Sequence, residues 1–250
     1  MFFYRTHILI LLLTLTTPNL FAEVPFTDWD RVEKQVRDGT ISRVDAQQCV
    51  KQLLPELNKY CAENGLEVTV ITSTQSVSPR WTFPVEGYGI KNIGEPGYTG
   101  YAPKGYNFYD GNKHGGHPAV DIFIRDKNQD TIDDKTGHQV NVLAVSTSIV
   151  LAVSTGWQPS SGIRGGNYVY TFLPGEQLIV YYAHLDKVEV KPGDVIFPGK
   201  LIGTMGRTGK NAYPSRSPTH LHIMCLSYDK NAGLSSVNVY NKLCRPGHKR

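Results

Sequence analysis

The chain of 250 residues is 40% hydrophobic, which is enough for one medium-sized domain with a smaller attachment and argues against compositional disorder. Its 26 basic and 22 acidic residues give a formal net charge of +4, which suits an anionic partner but is too small to indicate nucleic-acid binding. Twenty-four glycines, fifteen prolines and short β-branched runs predict a mainly β protein with a compact antiparallel β-sheet and many turns.

Residues 1–22 have the pattern of a secretory signal peptide. The basic Arg5 precedes an apolar run at residues 8–15, and Ala22 is a small residue suited to cleavage. The run is too short to span a bilayer. We therefore expect an exported protein, in a periplasm or outside the cell, that has no membrane span once the signal is removed. Loss of Arg5 would lower the net charge to +3.

A small helical region is predicted after the signal. In the first helix Val32 and Val36 lie on one apolar stripe, and Thr27 is the predicted N-cap. A second helical pattern starts at Ser42 and stops at Gly65. Neither pattern contains a group of residues that predicts catalysis, so we interpret this region as structural or regulatory.

A β pattern follows from about Ser78, with short strands separated by glycine and proline turns as far as Leu243. This change in pattern predicts three parts along the chain. They are a signal peptide at 1–22, a helical N-terminal region with a linker at 23–78, and a β domain with a C-terminal tail at 79–250. Helix is expected only in the N-terminal part.

The four cysteines all follow the predicted signal, and an even number in an oxidising compartment predicts disulfide bonds. A bond between Cys49 and Cys61 would need a break in the second helix, for which Pro55 is a candidate, because twelve helical residues span about 18 Å. A bond between Cys225 and Cys244 would tie the C-terminal tail to a strand. The sequence leaves the possible pairings open.

The stretch HPAVDIFI places His117 and Asp121 four residues apart. Pro118 disfavours a helical backbone at His117, and the alternation of the following residues indicates a strand. An even separation then puts His117 and Asp121 on one side of the strand, while Val120 and Ile122 point into a core on the other side.

The stretch THLHI contains His220 and His222 on either side of a single leucine. In an extended strand both imidazoles share one face, and Leu221 and Ile223 fill the other. An isolated pair of this kind is equally compatible with two separate, hydrogen-bonded strand histidines. Its meaning therefore depends on further ligands elsewhere in the chain.

A set of three metal ligands can be assembled from these stretches. Zn²⁺ accepts imidazole nitrogen and carboxylate oxygen, and a catalytic zinc site has three protein ligands and an open fourth position. His117, Asp121 and one histidine of the H-x-H pair meet that number. A further histidine, His184, ends the apolar strand IVYYAHL. By itself it predicts a structural role, but beside a metal site it becomes a second functional candidate.

The stretches HPAVD, YYAHL and THLHI occur in this order, together with FPVEG, GGNYVY and VKPGDVIFPGKLIGTMGRTG. Over residues 81–226 this set resembles the LytM/lysostaphin-type zinc metalloendopeptidases, and three ordered motifs are far more specific than any one of them. The resemblance implies a groove across an antiparallel sheet, one Zn²⁺ per chain, and cleavage of peptide bonds in peptidoglycan stems or cross-bridges. By position it implies zinc ligands at His117, Asp121 and His222 and a catalytic pair at His184 and His220.

The two histidines of the implied catalytic pair have plausible chemical roles. Zinc polarises a scissile carbonyl and lowers the pKa of coordinated water to about 7. A base must still remove a proton, and because no glutamate is placed as in H-E-x-x-H, the nearest candidates are imidazoles. His220 can pass the proton from water to the leaving amine, and His184 can hydrogen-bond the water or the developing oxyanion. Which of the two is the base stays open.

Three other functions are compatible with parts of this pattern. A non-catalytic relative that binds cell-wall polymer or activates an amidase would not need all five positions, which this chain keeps. A D-alanyl-D-alanine carboxypeptidase would have a wider His–Asp spacing and a downstream E-x-x-H, which does not occur. An enzyme whose helical region blocks the groove until it is removed is compatible with the main interpretation.

We expect a monomer that has a peptidoglycan peptide as substrate and no nucleic-acid partner.

Three features lie outside the motifs. The segment before His117 is rich in glycine and tyrosine, and it either borders the groove and contacts the substrate or forms a plain surface loop. His114 and His138 have no matching motif, so we interpret both as surface histidines. The stretch DKNQDTIDD is interpreted as a solvated acidic turn, because Thr131 and Gly137 occupy positions where a calcium loop needs glycine and glutamate.

Overall fold

The computed structural model describes residues 25–66, 81–94 and 100–244. The predicted signal peptide lies outside these residues, as do residues 67–78 of the predicted helical region with its linker and the last six residues of the C-terminal tail. None of the helices in the described part is both long and apolar enough to cross a membrane.

The two predicted N-terminal helices are present as α1 (Pro25–Asp38) and α2 (Arg43–Glu63). Ser42 is the N-cap of α2, as predicted, and its hydroxyl oxygen accepts a backbone N–H of the first turn at 3.1 Å. The prediction of Thr27 as the N-cap of α1 was wrong, because α1 already starts at Pro25. Proline suits the first turn of a helix, since its φ is fixed and it has no N–H to leave unpaired.

Nine strands in the described residues form one sheet in which every pair is antiparallel. They are β1 (Ala119–Phe123), β2 (Asn141–Leu143), β3 (Ser148–Ser154), β4 (Asn167–Leu173), β5 (Leu178–Val188), β6 (Val195–Ile196), β7 (Leu201–Met205), β8 (His220–Asp229) and β9 (Gly233–Val237). The main path is β1-β8-β5-β4-β3-β6, while β2 pairs with β7, β7 also with β5, and β9 with β8. This confirms the predicted mainly β, antiparallel fold. A short helix, α3 (Tyr240–Leu243), follows β9, so the expectation that helix occurs only in the N-terminal part was wrong.

One face of the sheet forms the main hydrophobic core. Tyr182 of β5 is fully buried there beside Leu221 and Ile223 of β8. Val120 and Ile122 of β1 join the same core, as their alternation predicts. Burial of a large apolar side chain contributes about 1.5–3 kcal/mol. Turning these strands over would expose several such side chains, so the observed orientation is strongly favoured.

The opposite face of the sheet is covered by α1 and α2. Buried side chains of the helices and of the sheet form a second core there, which includes Trp29, Val36, Leu57, Tyr168, Tyr170 and Tyr181. α1 also fits closely against the segment before β1 at Gly111, where φ is 51° and an added Cβ would overlap with the carbonyl oxygen of Val36. The helical region therefore packs directly on the sheet.

The cysteines lie on both sides of this sheet. Because α2 is continuous through Pro55, a bond between Cys49 and Cys61 is excluded by the length of helix between them. Cys225 is buried in the main core, and Cys244 packs against that same core. No disulfide bond is present in the structure, whose described residues include all four cysteines.

A buried carboxylate links α1 to the sheet. The hydroxyl of Tyr168 in β4 lies 2.9 Å from both carboxylate oxygens of Glu33 and accepts an N–H of Arg37 at 3.1 Å. Arg37 in turn donates two hydrogen bonds of 2.7 Å to the carboxylate of Asp38. Burial raises the pKa of Glu33 to about 7, and the hydrogen bond from Tyr168 offsets only part of that effect.

The stability of the protein should depend on pH through Glu33. Its folded-state pKa of about 7 lies above the ordinary value of 4.5, so the folded state binds the proton more tightly and stability falls as the pH rises through that interval. A shift of this size corresponds to roughly 3 kcal/mol. We predict that Glu33→Gln removes this part of the pH dependence, as measured by urea unfolding at a series of pH values from acidic to mildly alkaline.

Glu63→Gln is the matched control, because Glu63 is exposed at the end of α2. This control should retain the pH dependence of the wild-type protein. The prediction is wrong if the wild-type protein and Glu33→Gln lose equal stability over the same interval.

Candidate metal centre

The alternation predicted for β8 is present in the structure. His220 and His222 lie on one face of the strand, while Leu221 and Ile223 are buried in the main core on the other. In the register of the antiparallel pair β1–β8, Asp121 is directly opposite His222. Directly opposed residues project their side chains from the same face, so a carboxylate and an imidazole lie side by side.

Asp121 is at the centre of the group. Its Oδ2 lies 3.2 Å from Nε2 of His117 and 3.8 Å from Nε2 of His220, and its Oδ1 lies 3.0 Å from Nδ1 of His222. Burial alone would raise the pKa of Asp121, but the hydrogen bonds from His117 and His222 outweigh it and hold the pKa well below its ordinary value. The carboxylate is therefore ionised and can bind a cation.

His117 forms the open edge of the site. It precedes β1 and forms an isolated antiparallel bridge with Ala102. Its side chain is 35% exposed, compared with 18% for Asp121 and 7% for His220. Burial would lower the pKa of His117, but the hydrogen bond and the charge of Asp121 raise it above the ordinary value. Solvent therefore reaches the group of donors from the His117 side.

His184 reaches the site through a bulge in β5. Its backbone is left-handed, with φ of 66°, and the pairing of β5 with β4 shifts register between Ala183 and Leu185. Strict alternation would turn His184 toward the main core. Instead its ring centre lies 4.9 Å from that of His220 and 5.5 Å from that of His222. A left-handed backbone at a non-glycine residue costs about 1–2 kcal/mol, which this fold sustains.

Hydrogen bonds to backbone carbonyls orient three of the four imidazoles. The Nδ1 atoms lie 2.6 Å from the Gly100 oxygen for His117, 2.8 Å from the Thr208 oxygen for His184, and 2.7 Å from the Pro218 oxygen for His220. Because a carbonyl can only accept, Nδ1 carries the hydrogen in each ring, and Nε2 is directed to the site. His222 differs, since its Nδ1 is turned toward Asp121.

Burial also determines the charge of two of the rings. It lowers the pKa of His184 well below the ordinary value, and the neighbouring His220 and His222 lower it further. Burial lowers the pKa of His222 as well, and the hydrogen bond with Asp121 opposes this only in part. Both rings are therefore neutral at physiological pH, which is the form that binds a metal or accepts a proton.

Two overlapping sets of three donors in the described part of the chain could hold a metal ion. They are His117 with Asp121 and His222, and His184 with His220 and His222, and the ligand atoms of each set lie within 4.8 Å of one another. The first set fits Zn²⁺ better, because its carboxylate offsets the charge of the cation and its exposed histidine leaves a side open. In the second set His184 and His220 are almost fully buried. All five residues of the sequence prediction are thus brought together, and the division into ligands and catalytic pair stays a prediction.

A buried network outside the motifs supports the start of β8. The hydroxyl of Thr219, the residue before His220, donates to Oδ2 of Asp126 at 2.6 Å, and Nη1 of Arg207 donates to the same hydroxyl at 3.1 Å. Two backbone N–H groups of its own loop also donate to Asp126. The interpretation of this acidic stretch as fully solvated was therefore wrong for Asp126. The two partners are 93 residues apart, so no local pattern reveals the contact.

A cavity of about 70 Å³ lies between α1, the segment before His117 and the histidine-bearing face. Its lining includes Glu33, Arg37, Asn112, His114, Arg164, Tyr181 and His222. The glycine- and tyrosine-rich segment therefore borders the site, which was one of its two predicted roles. The interpretation of His114 as a surface histidine was wrong, because it is partly buried and burial lowers its pKa. His138 is exposed, as predicted.

Residues 127–232 match the family model of peptidase family M23. The match confirms the predicted resemblance to the LytM/lysostaphin-type peptidases. It includes His184, His220 and His222. His117 and Asp121 lie just before the matched residues and reach the site through β1 and the bridge that precedes it.

Three solved structures are similar to parts of the chain. The catalytic domain of the antimicrobial peptidase lysostaphin from Staphylococcus simulans is 25% identical over 62% of this chain and 96% of its own, with a TM-score of 0.40. A protein described as the glycyl-glycine endopeptidase LytM from Ruminococcus gnavus is 26% identical over 50% of this chain and 44% of its own, with a TM-score of 0.37. A zinc containing peptidase from Vibrio cholerae is 20% identical over 63% of this chain and 39% of its own, with a TM-score of 0.40. The chain thus spans less than half the length of the last two, and no curated protein matches it significantly.

Zinc binding should depend on the first donor set. We predict that Asp121→Asn and His117→Ala each weaken Zn²⁺ binding by roughly 100-fold or more, because each removes a ligand, whereas His184→Ala keeps most of the affinity. Calorimetric titration of Zn²⁺ into chelator-treated protein measures this, with His138→Ala as the control. The opposite order, with zinc lost in His184→Ala and retained in Asp121→Asn, would assign the metal to the three-histidine set.

Proposed function

We propose that this protein is an exported zinc metalloendopeptidase that hydrolyses peptide bonds in peptidoglycan stem peptides or cross-bridges. The observation that carries the proposal is the convergence of five donor side chains on one face of the sheet, with an exposed edge at His117. The peptidase family match supports the reaction class. The substrate class rests on the sequence resemblance to the LytM/lysostaphin-type enzymes.

One zinc ion per chain would be held by His117, Asp121 and His222. When bound, zinc polarises the carbonyl of the scissile peptide and lowers the pKa of water to about 7, which makes water a nucleophile at neutral pH. The side chains of Asp121 and His222 are only 18% and 16% exposed, so solvent screens their electrostatic interactions less than it would at the surface.

His220 and His184 would carry the proton. Their Nε2 atoms hold no hydrogen in the neutral rings, because their Nδ1 atoms donate to the carbonyls of Pro218 and Thr208. Either ring can therefore accept the proton that water loses and then donate it to the nitrogen of the leaving amine. The other ring can accept a hydrogen bond from the same water and orient it for attack.

Zinc-loaded protein should release new amino termini from purified peptidoglycan. We predict that His220→Ala folds normally but loses activity by about 100- to 10,000-fold, the usual cost of removing a general base. Fluorescent labelling of the released amino groups measures the rate, and mass spectrometry of the fragments identifies the bond that is cut. His138→Ala, whose ring is exposed, is the control and should cleave like the wild-type protein.

The proposal fails if zinc-loaded protein releases no amino termini, both as the intact chain and after removal of the helical region. Binding to cell-wall polymer without catalysis would then be the better interpretation.

The proposed export bears on the cysteines. The signal-like pattern at residues 1–22 supports export, and an oxidising compartment favours disulfide formation between thiols that lie close together. Cys225 and Cys244 both contact the main core, whereas Cys49 and Cys61 lie in the second core, on the opposite face of the sheet. We therefore propose a bond between Cys225 and Cys244 in the exported protein.

Peptide mapping of the exported protein under non-reducing conditions should detect a linked pair of peptides that contain Cys225 and Cys244. The linkage should disappear after reduction. Separate alkylation of Cys225 and Cys244 before reduction, or a linkage to either cysteine of α2, would contradict this prediction.

A further inference from the structure

Arg164 lies beside the histidines, on the connection between β3 and β4. The next residue, Gly165, accepts the backbone N–H of His184 at 2.9 Å through its carbonyl oxygen. An added Cβ at Gly165 would overlap with the hydroxyl of Tyr181 and contact the Cβ of Ala183 at 3.6 Å. The connection therefore lies flat on β5, next to the strand pair Ala183–His222.

The guanidinium of Arg164 is held across the cavity. The backbone N–H of Arg164 donates to Oδ1 of Asn112 at 3.2 Å, and its Nη1 donates to the carbonyl oxygen of His114 at 2.5 Å. These contacts join the β3–β4 connection to the segment that leads into His117. In the described residues no hydrogen bond involves Nε or Nη2 of Arg164, so these donors remain available to a ligand.

The guanidinium of Arg164 forms no ion pair within the described part of the chain. Within the described part of the chain, no carboxylate lies within ion-pair distance of it, while Arg37 pairs with the carboxylate of the next residue and Glu33 with the hydroxyl of Tyr168. Burial is the main cause of the lowered pKa of His114, and the charge of Arg164 adds to it. The cavity beside the metal site thus contains a guanidinium that is not paired with a carboxylate.

We propose that Arg164 binds a carboxylate of the peptide substrate next to the scissile bond, and so determines which peptides the proposed peptidase accepts. The planar guanidinium can donate two parallel N–H groups to the two oxygens of one carboxylate. Such charge-assisted hydrogen bonds are about twice as strong as neutral ones. The partial burial of Arg164 strengthens the attraction, because solvent screens it less than at an exposed position.

This inference rests on the proposed function and narrows its substrate. A peptidoglycan stem peptide carries free carboxylates at its γ-linked glutamyl residue and at its C-terminus. A glycine cross-bridge carries no carboxylate along its length. A carboxylate-binding arginine beside the metal site therefore selects stem peptides over glycine cross-bridges.

Four synthetic stem peptides that span the same scissile bond test the inference. They combine a free or amidated glutamyl carboxylate with a free or amidated C-terminus, so that the two sources of the carboxylate are distinguished. We expect the zinc-loaded wild-type protein to cleave one free-acid form with a kcat/KM about 10-fold or more above that of its amide. Arg164→Gln should lose this preference, so that the ratio of the two kcat/KM values falls to about one, and Arg164→Lys should keep part of it.

Arg216→Gln is the matched control, because Arg216 is an exposed arginine on the loop before β8. This variant should keep the full preference. Equal cleavage of acid and amide by the wild-type protein would overturn the inference and leave the proposed function intact. An equal loss of kcat/KM on both peptides in Arg164→Gln would have the same consequence.

Calorimetric binding of the same peptides to zinc-loaded His220→Ala separates recognition from catalysis. We expect His220→Ala to bind the free acid more tightly than the amide, and we expect this difference to disappear in the double variant His220→Ala, Arg164→Gln. This result supports the inference even if the wild-type protein cleaves no peptide. In that case only the proposed function fails. Absence of both cleavage and carboxylate-dependent binding overturns both.

Discussion

The antiparallel pairing of β8 with β1 on one edge and with β5 on the other is the constraint on which the site depends. Side chains alternate along a strand, so a slip of one residue would carry Leu221 and Ile223 out of the main core and bring His220 and His222 into it. The loss of apolar burial, about 1.5–3 kcal/mol for each large side chain, makes that slip unfavourable. Asp121 faces His222 for the same reason, because its own neighbours in β1 are also in the core.

The parts of the site that the sequence predicts are those that depend on this local alternation. Asp121, His220 and His222 could be assigned to one face because an even separation in a strand determines the side. The route by which His184 joins them could not be derived in this way, since alternation in β5 turns its ring toward the core. Its left-handed backbone is held by hydrogen bonds with Gly165 and Gly206. These bonds can form only when the strands have assembled into the sheet.

Long-range contacts account for the rest of what the sequence did not predict. The link from Asp126 to Thr219 and the link from Arg164 to His114 each join loops that are far apart in the chain. The apolar stripe that contains Val36 correctly predicted a buried helix face. Such a pattern does not predict which part of the protein the helix packs against. In the structure that surface is the histidine-bearing side of the sheet, so a region interpreted from its sequence as structural or regulatory supplies one wall of the cavity.

The left-handed backbone at His184 brings stability and activity into competition at a single position. Glycine would adopt a φ of 66° without steric conflict, and it would release a strain of about 1–2 kcal/mol. Selection for thermal robustness alone would thus replace the imidazole with the residue that the backbone prefers, and the proposed chemistry would lose one of its proton carriers. A more heat-tolerant variant that retains full turnover must therefore gain its stability elsewhere in the molecule, away from this bulge.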